Sequence, residues 1–403
     1  LIKNVFIALP GMTEPSRYES RGVSSDKNEV HHAIRRLDRG LFRNTFCKIL
    51  PNIFSGDPKA ALMLHADTAG TKTILAYLYW KETGDLSVWK GIAQDALVMN
   101  IDDMACSGPV NRFYISNTVL RNKNRIPGEV LEALIEGTLE FADSLKAHDI
   151  HLHHAGGETA DVGDVVRTLD VGFTAYSELS RSSVFEINIR PGDLILGIGS
   201  FGRSSYEQEY NSGIGCNGLT SARHDVLSGE YGKIYPESFD PSVNPDLVYS
   251  GPHQMTDRIE TGDGQSRNVG QLLLSPTRTF LPLLYPLLKR AHPGLHGIIH
   301  CTGGAHSKVL KFVNGLKIIK DQLFSPPPVF SLIQKCSQAS LPEMYKVFNM
   351  GTRLEIYGTE SCLAEVAAMA SELNLPNQII GRVESAIRNE VELKVGDQGW
   401  SYF

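Results

Sequence analysis

Between Ala61 and Trp80 the chain passes from an apolar run, Ala61-Leu62-Met63-Leu64, through Asp67-Thr68-Ala69-Gly70-Thr71-Lys72 into a second apolar stretch, Ile74 to Trp80. A strand, a glycine turn and a helix in immediate succession is the unit from which layered α/β and α+β domains are built, so it restricts the fold class at once. The same six residues put a carboxylate at a strand end, a glycine that lets backbone approach a phosphate, and a lysine suited to phosphoryl charge. Nucleotide chemistry is the first functional expectation.

Related transitions recur along the chain. Val88 to Cys106 reads as a helix closed by Gly108-Pro109, and Pro127 to Ala147 keeps near-helical apolar spacing through Val130, Leu131, Leu134, Ile135, Leu139 and Phe141. Ile150 to His154 alternates like a strand and runs into Gly156-Gly157-Glu158-Thr159; another strand follows at Val171 to Tyr176. Arg190-Pro191-Gly192-Asp193 is a turn signal before the strand Leu194-Ile195-Leu196. Further helices are expected around Val30 to Leu41, from Pro276 to Ala291 and from about Gly304, with strands near Gly297 to His300 and Arg353 to Tyr357 and a helix over Ser361 to Leu373. The 403 residues exceed what one core usually supports. We expect an extension over residues 1–22, an N-terminal domain over 23–189 and a C-terminal α/β domain over 190–403. Within the last, residues 203–270 read as a long irregular excursion, in which Gly262-Asp263-Gly264-Gln265 suggests mobility.

Composition narrows the function. With 42% hydrophobic and 21% charged residues the chain is ordinary for a soluble protein, and a net charge of −6 leaves no basic excess for general nucleic-acid binding. The apolar segment Phe280 to Leu288 is broken by Pro282 and Pro286, so no membrane span is expected. Six cysteines without CxxC pairing read as free thiols in a reducing cytoplasm, with no structural zinc.

The helix Gly91 to Ala105 carries Asp95, Asp102 and Asp103. At about 100° per residue Asp95 and Asp102 share a face while Asp103 lies roughly 80° from Asp95, a set that can face a divalent cation or simply solvent. Gly197-Ile198-Gly199-Ser200-Phe201-Gly202 matches the dinucleotide fingerprint formally, but the polar residues 203–213 do not open an amphipathic helix. His151, His153 and His154 suggest a metal hydrolase, yet strand alternation sends His154 to the opposite face from the other two. His300-Cys301-Thr302-Gly303-Gly304-Ala305 places a glycine pair between a strand and a helix, a suitable anion cradle.

The order of these motifs is more specific than any one of them. Asp67-x-x-Gly70-Thr71-Lys72, Asp95 and Asp103, Gly156-Gly157-Glu158-Thr159, Asp170-Val171-Gly172-Phe173, Asn217-Gly218, Pro276-Thr277-Arg278, Thr302-Gly303-Gly304 and Glu343-Met344-Tyr345-x-x-Phe348-Asn349-Met350-Gly351 resemble the aminoimidazole ribonucleotide synthetases, from about Gly22 to Arg382. That resemblance implies a mixed-sheet N-terminal domain closing a barrel across a homodimer, a C-terminal α/β domain, and active sites shared between subunits. It implies ATP-dependent closure of the imidazole ring of a purine precursor, formylglycinamidine ribonucleotide, with ADP and phosphate released and Mg as cofactor. By position, Asp67, Asp95, Asp103 and Glu158 become metal candidates, and Gly70, Thr71, Lys72, Gly156, Gly157 and Thr159 ATP contacts. Asn217, Gly218, Thr302, Gly303, Gly304 and Asn349 become substrate contacts, with Lys72, Asp67 and His300 catalytic.

Several positions depart from the family pattern. Asn52 to Lys59 stands where a glycine-rich loop is usual, Asp102 stands where Asn is usual, and Thr352-Arg353-Leu354-Glu355 replaces a small, apolar continuation. The alternatives are another ATP-dependent enzyme of the same superfamily, such as a small-molecule kinase, or a catalytically silent nucleotide-binding dimer.

Overall fold

The computed structural model describes residues 18–23, 32–261 and 264–403. Two mixed sheets organise it. The first has the order β1-β2-β5-β3-β4, from β1 (Leu50–Pro51), β2 (Ala60–Thr68), β3 (Arg112–Arg121), β4 (His151–Asp161) and β5 (Leu169–Ser180). Its pairs are antiparallel except β3 with β4, whose connection carries a helix, as a parallel pair requires.

The second sheet is seven-stranded. Its strands are β6 (Leu194–Gly199), β11 (Leu295–His300), β12 (Leu316–Lys320), β13 (Thr352–Gly358), β14 (Asn377–Ser385), β15 (Glu390–Val395) and β16 (Gln398–Tyr402), in the order β11-β13-β6-β14-β12-β15-β16. Between β6 and β11 lie two short ribbons, β7 (Phe201–Gly202) with β8 (Asn211–Ser212) and β9 (Arg258–Glu260) with β10 (Ser266–Asn268). The central strand β6 is buried over Ile195 to Gly199, which explains its unbroken apolar run.

Helices α1 (Lys72–Thr83), α2 (Val88–Ala105) and α3 (Gly128–Leu145) accompany the first sheet. Helix α1 ends where Gly84 adopts φ 77° and donates its N–H to Trp80 O, the left-handed stop that glycine adopts without a Cβ penalty. Helix α2 is buried on nearly all sides from Trp89 to Ala105, because the sheet covers one flank and the segment 275–281 the other. Its lack of amphipathic contrast is therefore a sign of central position. Helix α3 buries Val130, Ala133, Leu134 and Phe141, while Ile135 and Leu139 remain exposed.

The opposite face of the first sheet is open. Leu64 on β2 pairs with Tyr176 on β5, Tyr176 with Tyr114 on β3, and Tyr114 with His153 on β4, a continuous cross-strand row. Leu64 is 58% and Tyr114 59% exposed.

Several expectations change. The glycine pair 156–157 does not end a strand: β4 continues through it with a bulge, Gly156 at φ 95°, so the extra residue is absorbed without a turn. The helix expected from Pro276 begins only at Leu281, because residues 277–280 bond to α2. The 203–270 segment is largely ordered and packed: it contains α4 (Leu219–Val226), and Tyr231, Tyr249 and Met255 are in the core. Gly262 and Asp263, part of the stretch expected to be mobile, lie outside the described residues. Residues Tyr18–Val23 contact the second half of the chain, where Arg21 is buried on Asp225 at 2.7 Å. The Val30–Leu41 helix lies partly outside the described residues; what is described is a 3-10 turn over Ile34–Arg36.

Candidate functional site

The three aspartates of α2 divide between two tasks. Asp95 Oδ1 accepts from Lys72 Nζ at 2.9 Å, from the Thr277 N–H at 2.7 Å and from Thr277 Oγ1 at 2.6 Å. Two turns on, Asp102 accepts from Thr279 Oγ1 at 2.5 Å and the Phe280 N–H at 2.8 Å. The shared face predicted by the helical period is therefore real, but it grips the backbone of 277–280. Lys72 adds a bond to Ser275 O at 2.6 Å, and neither Lys72 nor Asp95 has solvent exposure. A metal role for Asp95 and a phosphate role for Lys72 are thus not what this geometry presents, since Lys72 Nζ and Asp95 Oδ1 are bound to each other and to this segment, and Asp95 Oδ2 is buried without a partner.

Asp103 turns the other way, toward one residue from each sheet. Its Oδ1 lies 2.6 Å from His300 Nδ1, and its Oδ2 is 3.8 Å from His65 Nε2. Burial pushes the Asp103 carboxyl up, but the Lys308 ammonium and the His300 bond outweigh burial and hold it at about 2. Asp67 reaches the same region from the end of β2, where its backbone oxygen meets Asn100 Nδ2 at 3.4 Å and its Oδ1 takes the Thr68 N–H at 2.8 Å. Asn100 Oδ1 also meets His65 Nδ1 at 3.0 Å. Sequence reasoning missed His65 and Asn100, although His65 shares the Asp67 face of β2 through simple alternation.

His300 closes the end of β11. Arg353 Nε is 3.1 Å from His300 Nε2, and because the guanidinium can only donate, Nε2 accepts and the ring proton sits on Nδ1. Burial first, with Arg353 among the other causes, lowers the His300 pKa to about 4. Held between a carboxylate and a guanidinium, His300 has its Nδ1 proton engaged by Asp103 and its Nε2 lone pair by Arg353, so it positions Asp103. The role this geometry gives it is orientation, where the sequence suggested catalysis.

Beyond it, Thr302-Gly303-Gly304 forms a turn in which Thr302 N–H returns to His300 O and Ala305 N–H to Thr302 O. Gly303 is exposed, and a Cβ there would meet only Asn217 Nδ2, at 4.0 Å. The Asn217 side chain presents its Nδ2 donor to this turn, while its Oδ1 is buried without a hydrogen-bond partner. Lys308 donates to Thr302 Oγ1. Thr302, Gly303 and Asn217 thus lie side by side, with Lys308 linking the turn to the surroundings of Asp103.

Other expected contacts are engaged differently. Asn349 is buried, with Nδ2 on Gly213 O at 2.9 Å and Oδ1 accepting from the Gly351 N–H at 2.8 Å, so it pins one loop to another. Gly218 has φ 80° and no room for a Cβ beside Phe348, a packing role at the start of α4. Thr71 Oγ1 bonds Thr220 Oγ1 at 2.6 Å, while Gly70 stays exposed at φ 58°. Gly156, Gly157, Glu158 and Thr159 lie on β4, at the opposite edge of the sheet from β2 apart from the two-residue β1. Three strand spacings, about 14 Å, separate them from Asp67 within one chain. Among the described residues no three His, Cys, Asp or Glu side chains converge on a metal position. Two carboxylates at a phosphate site nonetheless fit Mg, which keeps waters and takes its remaining ligands from phosphate oxygens.

Residues 50–178, which span the first sheet and its helices, match the family described as AIR synthase related protein, N-terminal domain. Over 354 residues the chain is 28% identical to the phosphoribosylformylglycinamidine cyclo-ligase of Saccharolobus solfataricus, covering 87% of this chain and 88% of that protein. The fold is also seen in a structure titled AaThiL complexed with AMPPCP and TMP, at TM-score 0.51 and 13% identity, covering 94% of this chain and 97% of the other. A structure of T. maritima PurL complexed with ADP gives TM-score 0.51 at 12% identity, covering 95% of this chain and 50% of the other.

Proposed function

We propose that this chain is a phosphoribosylformylglycinamidine cyclo-ligase: it uses ATP to activate the formyl oxygen of formylglycinamidine ribonucleotide, and an internal nitrogen then closes the imidazole ring. The phosphorylated oxygen leaves as phosphate, giving ADP and aminoimidazole ribonucleotide. The observation that carries this reading is the similarity to cyclo-ligases over most of both chains, together with the placement of Asp103 on His300, two residues before the Thr302-Gly303-Gly304 turn.

In this scheme Asp67 and Asp103 hold Mg, which when bound neutralises phosphate charge during transfer. Asn100 and His65 fix the β2 end against α2, and His300 orients Asp103. Gly303 leaves an open floor for the substrate, and Asn217 Nδ2 donates to a substrate oxygen. Such chemistry depends mainly on positioning and charge neutralisation, which buried, hydrogen-bonded carboxylates supply without reorganising.

The protein acts as a homodimer in the cytoplasm in this reading. The open sheet face with its Leu64, Tyr176, Tyr114 row supports the dimer, as does the placement of Glu158 far from Asp67 in its own chain. The test is to incubate purified protein with Mg-ATP and formylglycinamidine ribonucleotide and to measure ADP together with a diazotisable aminoimidazole. ADP without ring closure points to a kinase-type relative, and neither product overturns the assignment.

A further inference from the structure

With Lys72 enclosed by Asp95 and Ser275, the cation that the 67–72 motif seemed to offer is already engaged. Arg353 is likewise buried, its Nε on His300 and its Nη2 3.2 Å from Met99 Sδ. Transfer of a phosphoryl group between two carboxylates and a metal still calls for a positive group that can touch phosphate oxygens. One lysine is placed to do so.

We propose that Lys308 is the phosphoryl-binding cation of this site, receiving the transferred group, and later the released phosphate, on the floor formed by Thr302, Gly303 and Gly304. The proposal deepens the cyclo-ligase reading and rests on it. Lys308 sits one turn beyond Gly304, on the 3-10 helix Ala305–Lys311. It is half-buried, and its ammonium lies 4.5 Å from the centre of the Phe46 ring, which itself stacks on Phe312 at 5.3 Å. That aromatic support fixes the stem while the head stays at Thr302. An ammonium has three donors, and among the described residues its hydrogen-bond partner is Thr302 Oγ1 alone, which leaves two N–H groups for an oxyanion.

The surroundings fit a phosphate better than a carboxylate substrate or a neutral amide. The Lys308 ammonium is first among the charges that hold the Asp103 carboxyl down, so it lies within electrostatic reach of the carboxylate that would hold the metal. Gly303 keeps the position beside the ammonium open, and Asn217 Nδ2 borders it as a second donor, which together with the ammonium favours a ligand rich in acceptor oxygens. A phosphoryl group, with three terminal oxygens, has that pattern. No bond forms to Lys308: its role is to neutralise charge as the phosphoryl group moves from ATP to the formyl oxygen and then departs.

The experiment compares wild type with Lys308→Met and Lys308→Arg. Inorganic phosphate binding is followed by phosphorus-31 line broadening in protein without substrate, and kcat and KM for Mg-ATP are measured with substrate. We expect Lys308→Met to weaken phosphate binding at least tenfold and to lower kcat by about 100-fold, the scale of losing one preorganised charge at a transition state. Lys308→Arg recovers a large part of both. Because the side chain is half-exposed, both variants keep the wild-type melting temperature; if the Met variant does not fold, Lys308→Gln takes its place. Wild-type phosphate affinity and kcat in the uncharged variant overturn the proposal while leaving the cyclo-ligase reading intact. Phosphate binding that depends on Lys308, in a protein that makes no aminoimidazole, keeps the anion site and removes the cyclo-ligase reading.

Discussion

His300 Nδ1 lies 2.6 Å from Asp103 Oδ1, and its other ring nitrogen takes the Nε–H of Arg353 from 3.1 Å. The three side chains form a buried line from β13 through β11 to α2, so the tautomer of His300 is set by Arg353 and the orientation of Asp103 by His300. Nitrogen-15 shifts of His300 should show a proton on Nδ1 and no titration between pH 6 and 8, since its pKa is lowered to about 4. Arg353→Met should remove this preference and raise the Mg concentration needed for half-maximal activity at least tenfold, about 1.4 kcal/mol of lost positioning. A His300 signal that titrates near pH 6.5 in the wild type contradicts the arrangement.

Lys72 and Asp95 give a different kind of prediction, because each is buried and each is the other's charge partner. Removing one member of such a pair strands the other, at a cost of about 3–5 kcal/mol. Lys72→Met and Asp95→Asn should each lower stability to urea by that order, and the double variant by clearly less than the sum. The affinity of the folded Lys72→Met protein for a nonhydrolysable ATP analogue should change less than threefold. A large loss of nucleotide affinity with unchanged stability restores the phosphate role that the sequence motif suggested.

How far the sequence showed all this depends on the range of the interaction. The β2 to α1 transition was legible because strand, glycine and helix are adjacent, and Gly70 does take the left-handed conformation there. The shared face of Asp95 and Asp102 was legible from the helical period, but their partners are about 180 residues away, at Thr277 and Phe280. Carboxylates that cap a remote backbone segment have the same spacing as carboxylates that ligate a metal. Glu158 was grouped with Asp67 by motif order, whereas sheet order places β5 and β3 between their strands. Lys308 escaped notice because its significance depends on Lys72 being enclosed, a tertiary fact without a local signature.

His224 makes the pH dependence of stability specific. It is buried on α4, where its Nδ1 accepts the Tyr249 N–H at 3.1 Å, with the Arg223 and Arg21 charges nearby and Asp225 paired to Arg21. Burial first, then Arg223 and Arg21, lower its pKa to about 2. The folded value is below the unfolded one, so the unfolded chain takes up a proton first: stability is full above about pH 6.5 and falls as pH drops toward 2, by at most roughly 1.4 kcal/mol per unit. Asp102, raised to about 7 by burial, acts in the opposite direction over part of this window, so the measurement is a difference. Denaturation of wild type and His224→Gln at pH 7, 6, 5 and 4.5 should show a shallower loss in the variant; parallel curves contradict the assignment.

The exposed row on the first sheet and the distance between Glu158 and Asp67 lead to a joint test of assembly and site composition. The wild type should have a light-scattering mass twice the 44.4 kDa of one chain, and Tyr114→Asp, at a position 59% exposed and so harmless to the fold, should give the single-chain mass. In a two-fold dimer each interface contact occurs twice, so a residue lent to the partner's site is lent in both directions. Asp103→Asn and Glu158→Gln should each be inactive alone. If Glu158 completes the partner's site, co-expression of the two in equal amounts makes half of the dimers mixed, each with one intact site, and restores about a quarter of wild-type activity. If Glu158 serves its own chain, no intact site forms in any combination, and the mixture stays inactive.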